Sequence, residues 1–243
     1  HYVNLFKPHH LLSGLLLASP AAWAATVPDN LDNLVEAASQ AVMQEHAIPG
    51  MAVALTVNGQ HHYYDFGVAS RDSGQAVDRD TLFELGSISK TFNVTLAAYA
   101  QATGKLKLTD SPASYLPELR GRALENTSLL NLATHTAGGF PLQLPDSVHD
   151  NGQLMRYFKH WTPSYPAGTR RTYANPSIGL LGVISARQLD MSYRSALQDL
   201  LFPALGLNNT HLQVPANWQR MYAQGYTRDN VPARLSPAVL ADE

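Results

Sequence analysis

The chain has no cysteine and no long run of charge of one sign. Its 243 residues include 17 Lys or Arg and 19 Asp or Glu, which gives a formal net charge of −2. Without cysteine, the chain has no disulfide, no thiol nucleophile and no cysteine-ligated metal. Without a basic stripe, nucleic-acid binding is not indicated. The ten histidines are scattered and lack ligand spacings such as His-Glu-x-x-His, so neither a metal nor a cofactor is predicted.

No apolar stretch is long enough to span a bilayer. Near the N-terminus, Lys7 precedes a short apolar run over 11–18, and Ala22-Trp23-Ala24 resembles a signal-peptide cleavage site. We therefore predict a signal peptide over 1–24, with a buried N-terminal helix as the alternative. The signal implies export, to the periplasm of a Gram-negative source, with no membrane anchor after cleavage.

Hydrophobic spacing predicts a helix followed by a β-hairpin. Asp29 and Asn30 are suitable caps for a helix with one apolar face. That predicted face consists of Leu31, Leu34, Val35, Ala38 and Val42. Residues 51–57 then alternate as a strand would, Asn58-Gly59 is a strong two-residue turn, and 61–66 form the return strand.

From residue 81 onward the pattern is mainly helical. Predicted helices begin at Ser87 or Ser89 and at Pro176, and others cover 129–134, 153–161 and 191–205. A further strand is indicated only near 222–227. We divide the chain into a signal peptide, an N-terminal α/β part over 25–80 and a mainly helical part over 81–243.

The segment 87–90, Ser-Ile-Ser-Lys, carries the most informative chemistry. Residues three apart share a helix face, so the Lys90 amine can reach the surroundings of the Ser87 hydroxyl. Serine is a poor nucleophile at neutral pH unless a neighbouring group takes its proton. Four residues are a weak signal, because a helix-start serine and a solvated lysine would give the same pattern.

A second informative segment covers 171–176, Arg-Thr-Tyr-Ala-Asn-Pro, at the end of a loop rich in Pro and Gly. If Tyr173 lies beside an ammonium group, its ionised form is stabilised and can act as a general base. The amide of Asn175 can both donate and accept hydrogen bonds. Alternatively, Asn175 caps the helix that follows and Tyr173 is a core residue.

Together these segments resemble the serine penicillin-recognising enzymes, and within them the class C β-lactamases. Ser-x-x-Lys is a signature of that group, and Tyr173-Ala174-Asn175 resembles the class C form of its second motif. The similarity continues outside these motifs and covers essentially all of 25–243. The other similar stretches are 48–54, Ile-Pro-Gly-Met-Ala-Val-Ala; 82–86, Leu-Phe-Glu-Leu-Gly; 132–139, Leu-Ala-Thr-His-Thr-Ala-Gly-Gly; 141–146, Pro-Leu-Gln-Leu-Pro-Asp; and 202–207, Phe-Pro-Ala-Leu-Gly-Leu.

The resemblance implies an α/β (α+β) fold, with an antiparallel sheet flanked by helices and a mostly helical domain. It implies that Ser87 attacks the β-lactam carbonyl and supplies one oxyanion donor from its backbone N–H. Lys90 orients and helps to deprotonate Ser87, and Tyr173 carries protons to the leaving nitrogen and activates water. Asn175 holds Lys90 and the substrate's side-chain amide, which Gln143 also contacts. The implied partner is a small β-lactam bound by a monomer.

The family's third motif, Lys-Thr-Gly or Lys-Ser-Gly, is absent from the 243 residues. The only Lys-Thr pair, Lys90-Thr91, belongs to the first motif. We expect this motif and the closing C-terminal strands to lie beyond Glu243, so that the chain is an N-terminal fragment with little turnover of its own. A D,D-peptidase or esterase on the same scaffold and a non-catalytic penicillin-binding protein remain open, although Gln143 favours the lactamase.

Overall fold

The computed structural model describes residues 27–235, so the predicted signal peptide lies outside the described residues. The first helix, α1 (Leu31–His46), lies where the sequence predicts it. Of its predicted apolar face, Leu31 and Val35 are half-buried, but the rest of that face and the predicted cap differ from the prediction. Asn30 occupies the N-cap position without a side-chain capping bond. Leu34 and Val42 are exposed, whereas Ser39 and Met43 are buried. Met43 is buried because its methyl group lies beside Gly67 in the second strand.

The predicted hairpin is confirmed. Strand β1 (Gly50–Val57) pairs antiparallel with β2 (Gln60–Gly67) in a register that places Val57 opposite Gln60. Asn58 and Gly59 both have positive φ, 51° and 77°, as a type I′ turn requires. Helix α1 is attached to the hairpin by a 2.7 Å hydrogen bond from the Tyr64 hydroxyl to Asp32. Within 27–235 these two strands form a sheet of their own.

The remaining described residues are mainly helical. The longer helices are α2 (Ser89–Ala102), α4 (Asn151–His160) and α5 (Asn175–Gln188), and the short α3 (Leu129–Ala133) lies between α2 and α4 in the chain. A continuous helical stretch follows, built from α6 (Tyr193–Ser195), a π-helical turn (Ala196–Leu201) and α7 (Phe202–Ala204). Two short strands, β3 (Gly225–Tyr226) and β4 (Pro232–Ala233), form a second small sheet. No helix within the described residues is both long and apolar enough to cross a membrane.

Helix α5 lies at the centre of the helical part, because apolar residues occupy nearly all of its circumference. One side packs into a large cluster around Leu132, Phe158 and Leu181. Ala186, near its C-terminus, joins a second cluster with Leu96 of α2 and residues of the last helical stretch. A helix that is apolar all round must be buried, and its two faces join the two clusters.

The observed architecture confirms the predicted α/β class, with a small antiparallel sheet beside a mainly helical part. The predicted division at residue 80 stays a prediction. One local detail differs: Ala174 is the N-cap of α5, while Asn175 and Pro176 occupy its first turn. Proline suits this position because its missing N–H would have no helical partner there. The Asn175 side chain is therefore not used as the helix cap.

Candidate active site

Ser87 and Lys90 are brought together at the start of α2. Ser87 lies in a short 3₁₀ turn (Gly86–Ile88) that leads directly into the helix. Gly86 has a φ of +56°, which permits the sharp change of direction. The Lys90 Nζ donates a 3.1 Å hydrogen bond to the Ser87 Oγ. Ser87 is exposed and Lys90 is half-buried, so a molecule from solvent can reach the hydroxyl.

The segment that leads to Ser87 is fixed by a distant part of the chain. Leu82 donates its N–H to the Met221 carbonyl at 2.7 Å and accepts from the Ala223 N–H at 2.9 Å. The Glu84 carboxylate accepts a 2.9 Å bond from the Tyr222 hydroxyl and a 3.2 Å bond from the Leu235 N–H. Buried or half-buried carboxylates are stabilised by such donors. These bonds set the direction from which the chain enters the 3₁₀ turn.

Tyr173 lies beside this pair, as the sequence predicts. The Lys90 Nζ is 4.7 Å from the centroid of the Tyr173 ring, and the Arg171 guanidinium is 5.9 Å from it. Interaction of its hydroxyl with Lys90, and secondarily with Ser87, lowers the pKa of the Tyr173 phenol, and the charges of Lys90 and Arg171 act in the same direction. A lowered pKa raises the fraction of the phenol that is ionised at a given pH, and only the ionised form can accept a proton.

Asn175 and Gln143 are placed at the same site by the backbone. The Asn175 N–H donates to the Leu142 carbonyl at 2.9 Å, which holds the loop over 141–145 against the start of α5. Gln143 is the next residue in that loop, and it is exposed. The Asn175 Oδ1 is buried and has no hydrogen-bond partner. The hydrogen bond between Asn175 and Lys90 that the resemblance implies is therefore not formed in this structure, and an amide oxygen left buried and unpaired is costly.

Contacts between α2 and α5 fix the positions of the site residues on the two helices relative to one another. From α2, the buried Asn93 donates its amide to the Ile178 carbonyl of α5 at 3.2 Å and accepts a 2.5 Å bond from the Tyr193 hydroxyl. Gly182 on α5 faces the same amide, at a distance that leaves no room for a β-carbon. This contact fixes the start of α2, with Ser87 and Lys90, relative to the start of α5, with Asn175.

The structure also brings in two residues to which the sequence assigned no role. Arg171 adds a positive charge near the Tyr173 ring. His135 is buried, and its ring lies 4.6 Å from the Tyr173 ring, centroid to centroid. The only sequence signal for Arg171 is its place two residues before Tyr173. No local pattern indicates His135, because it reaches Tyr173 through the fold rather than along one helix.

The arrangement is suited to acyl transfer. It presents an accessible hydroxyl, an ammonium group bonded to it and a phenol of lowered pKa within one cluster, which are the elements of an activated nucleophile. Within residues 27–235, no three His, Asp or Glu side chains gather as a metal ion would require.

Comparison with protein families and curated proteins gives consistent matches. The family model described as "Beta-lactamase" matches residues 32–243. A beta-lactamase of Lysobacter lactamgenus is 48% identical over 234 residues, which cover 95% of this chain and 61% of that protein. A beta-lactamase of Escherichia coli K12 is 40% identical over 229 residues, covering 94% of this chain and 60% of that one. The chain thus spans about 60% of the length of the curated relatives it matches.

Solved structures give the same result. A beta-lactamase/D-alanine carboxypeptidase from Pseudomonas syringae superposes with a TM-score of 0.84 at 54% identity, covering 86% of this chain and 59% of that one. A class C beta-lactamase in complex with cefoxitin superposes with a TM-score of 0.84 at 43% identity, covering 87% of this chain and 60% of that one.

Proposed function

The chain belongs to the beta-lactamase family and is similar to its class C members, and on that premise we propose that the protein is a serine hydrolase which opens the amide of penicillins and cephalosporins through an acyl-enzyme on Ser87. The observation that carries the proposal is the 3.1 Å hydrogen bond from the Lys90 Nζ to the Ser87 Oγ, with Tyr173 beside it.

The proposed acylation moves one proton and breaks one bond. The Ser87 Oγ attacks the β-lactam carbonyl carbon while its proton passes to the Lys90–Tyr173 pair. The C–N bond of the ring then breaks, and Tyr173 returns that proton to the leaving nitrogen. The lowered pKa of Tyr173 supports this role, because it makes the phenolate, the form that accepts a proton, easier to generate.

The proposed deacylation uses the same groups in reverse. A water molecule replaces Ser87 as the nucleophile, Tyr173 takes a proton from it, and the ester bond to Ser87 breaks. The Ser87 Oγ then recovers its proton from the Lys90–Tyr173 pair. The Ser87 backbone N–H is proposed to stabilise the negative oxygen of both intermediates, which is commonly a large part of the catalysis in acyl transfer.

Asn175 and Gln143 are the proposed contacts for the amide of the substrate's side chain. The position of Asn175 at the start of α5, two residues after Tyr173, supports this role, and a turn of its side chain that exposes the unpaired Oδ1 would let a substrate N–H become its partner. Gln143 supports it by its exposed position beside Leu142, whose carbonyl is bonded to the Asn175 N–H.

A D,D-peptidase is the second candidate function. The observation that favours it is the similarity to two solved structures of proteins named as D-alanine carboxypeptidases. One, from Pseudomonas syringae, is also named a beta-lactamase and is 54% identical, and the other, from Burkholderia cenocepacia, is 40% identical. Both reactions form a serine ester, and they differ in whether the carbonyl belongs to a strained ring or to a terminal peptide. We further propose a periplasmic monomer, in keeping with the predicted signal peptide.

Acylation by a β-lactam tests the proposal more directly than turnover does, because it needs only the nucleophile and its immediate partners. The chain is incubated with benzylpenicillin or cefoxitin and its intact mass is measured over time. We expect a gain of one β-lactam mass, located on Ser87 by peptide analysis. Ser87→Ala is expected to abolish the adduct, whereas Ser89→Ala, a matched change within the same motif, retains it.

Two results would contradict the proposal: an adduct that survives Ser87→Ala, or no adduct on the wild-type chain at millimolar β-lactam. Release of D-alanine from a peptide ending in D-Ala-D-Ala, measured in the same samples, separates the two candidate functions. A peptidase releases at least one D-alanine per chain in a Ser87-dependent manner, because acylation by the peptide alone frees its terminal residue. A lactamase forms the β-lactam adduct and releases little D-alanine.

A further inference from the structure

His135 accepts hydrogen bonds from the residue before Tyr173 and from the residue after it. It follows α3, and its backbone lies in the left-handed region with a φ of +60°. Its carbonyl accepts a 2.8 Å bond from the Thr172 N–H, and its Nδ1 accepts a 3.0 Å bond from the Ala174 N–H. Thr172 and Ala174 are the two neighbours of Tyr173. His135 therefore fixes the backbone N–H groups of both residues that flank Tyr173.

The same residue also packs against the phenol itself. The two ring centroids are 4.6 Å apart and the ring planes are inclined by 35°. Tyr173 is 38% exposed, so a large part of its surface contacts solvent rather than protein. His135 is 7% exposed, so protein atoms surround nearly all of it. The buried imidazole of His135 therefore packs against the partly exposed ring of Tyr173.

The hydrogen bonds define the protonation state that this contact requires. Because Nδ1 accepts the Ala174 N–H, its lone pair must be free, and the proton of the neutral ring is on Nε2. A second proton on Nδ1 would place two N–H groups against each other. The charged groups acting on the ring are Arg171, two residues before Tyr173, and Lys90 from α2, and both are positive. Tyr173 is the neighbouring titratable group.

We infer that His135 is a positioning residue for Tyr173: its neutral imidazole and its carbonyl clamp the Thr172–Ala174 segment, and protonation of Nδ1 releases the clamp. The inference rests on the proposed function in so far as it explains why the placement of Tyr173 matters. Burial, then the charges of Arg171 and Lys90, lower the pKa of His135 below its usual 6.5. The clamp is therefore closed at neutral pH and opens only on acidification below that value.

Two substitutions separate positioning from general structural support. His135→Asn keeps a residue that tolerates positive φ and provides an amide oxygen to accept the Ala174 N–H, but it cannot titrate. His135→Phe keeps a ring against Tyr173 but has no acceptor. Far-UV circular dichroism of both variants verifies that they fold.

The first measurements need no substrate. In ¹⁵N spectra of the wild-type chain, the His135 signal, identified by its loss in His135→Asn, is expected to show an unprotonated Nδ1 at neutral pH and a pKa below 6.5. The ¹³Cζ signal of Tyr173, identified by its loss in Tyr173→Phe, is expected to shift in His135→Phe and to remain near its wild-type position in His135→Asn. A protonated Nδ1 at neutral pH, or a Tyr173 signal that neither variant changes, would overturn the inference.

The acylation rate by benzylpenicillin gives the second readout. At pH 7.5 we expect His135→Phe to lower this rate about 10- to 100-fold, because small misplacements of a catalytic group have effects of that order, and His135→Asn to stay within about 3-fold of wild type. The ratio of the wild-type rate to the His135→Asn rate is expected to fall as pH drops through the His135 pKa. Titration of Lys90 and Tyr173 affects both proteins and cancels in that ratio.

Equal losses in both variants with a constant ratio across pH would show that His135 supports the fold without positioning Tyr173. If no protein in the set is acylated, the proposed function fails. The ¹⁵N and ¹³C results still decide the inference in that case, because they report the clamp without any substrate.

Discussion

At the scale of single residues, Tyr193 shows what burial does to a phenol. Its hydroxyl donates to the Asn93 Oδ1 at 2.5 Å in the contact between α2 and α6. Burial raises the pKa of Tyr193 to about 12, and the bond to Asn93 only partly offsets this rise. The neutral phenol is therefore favoured in the folded protein. Its contribution to stability is complete below pH 10, the usual pKa of tyrosine, and is lost as pH rises from 10 to about 12.

Tyr193→Phe is expected to lower stability at neutral pH and to reduce the further loss of stability at alkaline pH. Near pH 7 the free energy of unfolding should fall by about 1–3 kcal/mol, because the Asn93 oxygen loses its donor inside the protein. Between pH 10 and 12 the variant should lose stability less steeply than wild type, because it has no phenol to ionise at this position. Urea unfolding at pH 7, 10 and 11.5 measures both effects.

The exposed Tyr99 on α2 provides the control for this experiment. Tyr99→Phe should leave the alkaline decline of stability unchanged. If the curves of Tyr193→Phe and wild type were parallel from pH 7 to 11.5, the buried phenol would not be a source of the alkaline sensitivity.

At the scale of elements, the packing of α2 on α5 decides whether the site is assembled. Gly182 lies inside α5, where alanine is ordinarily the better residue by about 1 kcal/mol. Here a β-carbon would lie 2.7 Å from the Asn93 Nδ2 and 3.0 Å from the Tyr193 ring. The steric effect opposes the helix propensity, and overpacking of about 1–3 kcal/mol is the larger effect.

Gly182→Ala should therefore destabilise the protein by up to about 2 kcal/mol in urea unfolding, although it improves helix propensity. It should also slow acylation, because the start of α2 moves relative to the start of α5. A double-mutant cycle with Asn93→Ala tests the cause. Shortening Asn93 removes the clash, so the cost of Gly182→Ala should be smaller in the Asn93→Ala background. An equal cost in both backgrounds would place the clash elsewhere.

These elements also show how far the sequence predicts the molecule. The hairpin was predictable because Asn58-Gly59 favours one turn type, and the turn determines the register. The contact of Ser87 with Lys90 was predictable because it is local to one helix start. The apolar face predicted for α1 is correct only in part: Leu31 and Val35 are half-buried, but Leu34 and Val42 are exposed, because burial depends on which element lies opposite. Met43 is buried because β2 passes beneath it.

The placement of Tyr173 beside Ser87 was predicted from a resemblance, since no spacing rule relates residues so far apart. The contact of His135 with both neighbours of Tyr173 could not be predicted even locally. It depends on a positive φ after α3, on one bond from a distant loop to the His135 carbonyl and on a second bond from that loop to its Nδ1. Pairings of this kind are decided by how loops meet, which leaves no periodic signal in the sequence.

At the scale of the whole molecule, the described residues differ sharply in how much apolar surface they bury. Helix α5 has nine buried residues and connects two clusters. Neither β1 nor β2 has a buried residue, and the nearby cluster is small, with Ala69, Val77 and Ala223. An isolated two-stranded hairpin is only marginally stable in water. We therefore expect two levels of stability, with the site attached to the more stable part.

Hydrogen exchange of the 243-residue chain measures this difference directly. Amides of β1 and β2 should exchange by local opening, at least about 100-fold faster than the amides of α5 over 178–186, which require global unfolding. Low urea distinguishes the two routes, because global unfolding exposes much more surface than local opening does. Exchange in α5 should accelerate steeply with urea, whereas exchange in the hairpin should hardly change. Equal rates and equal urea dependence would show one cooperative unit, in which the hairpin supports the site as strongly as the helices do.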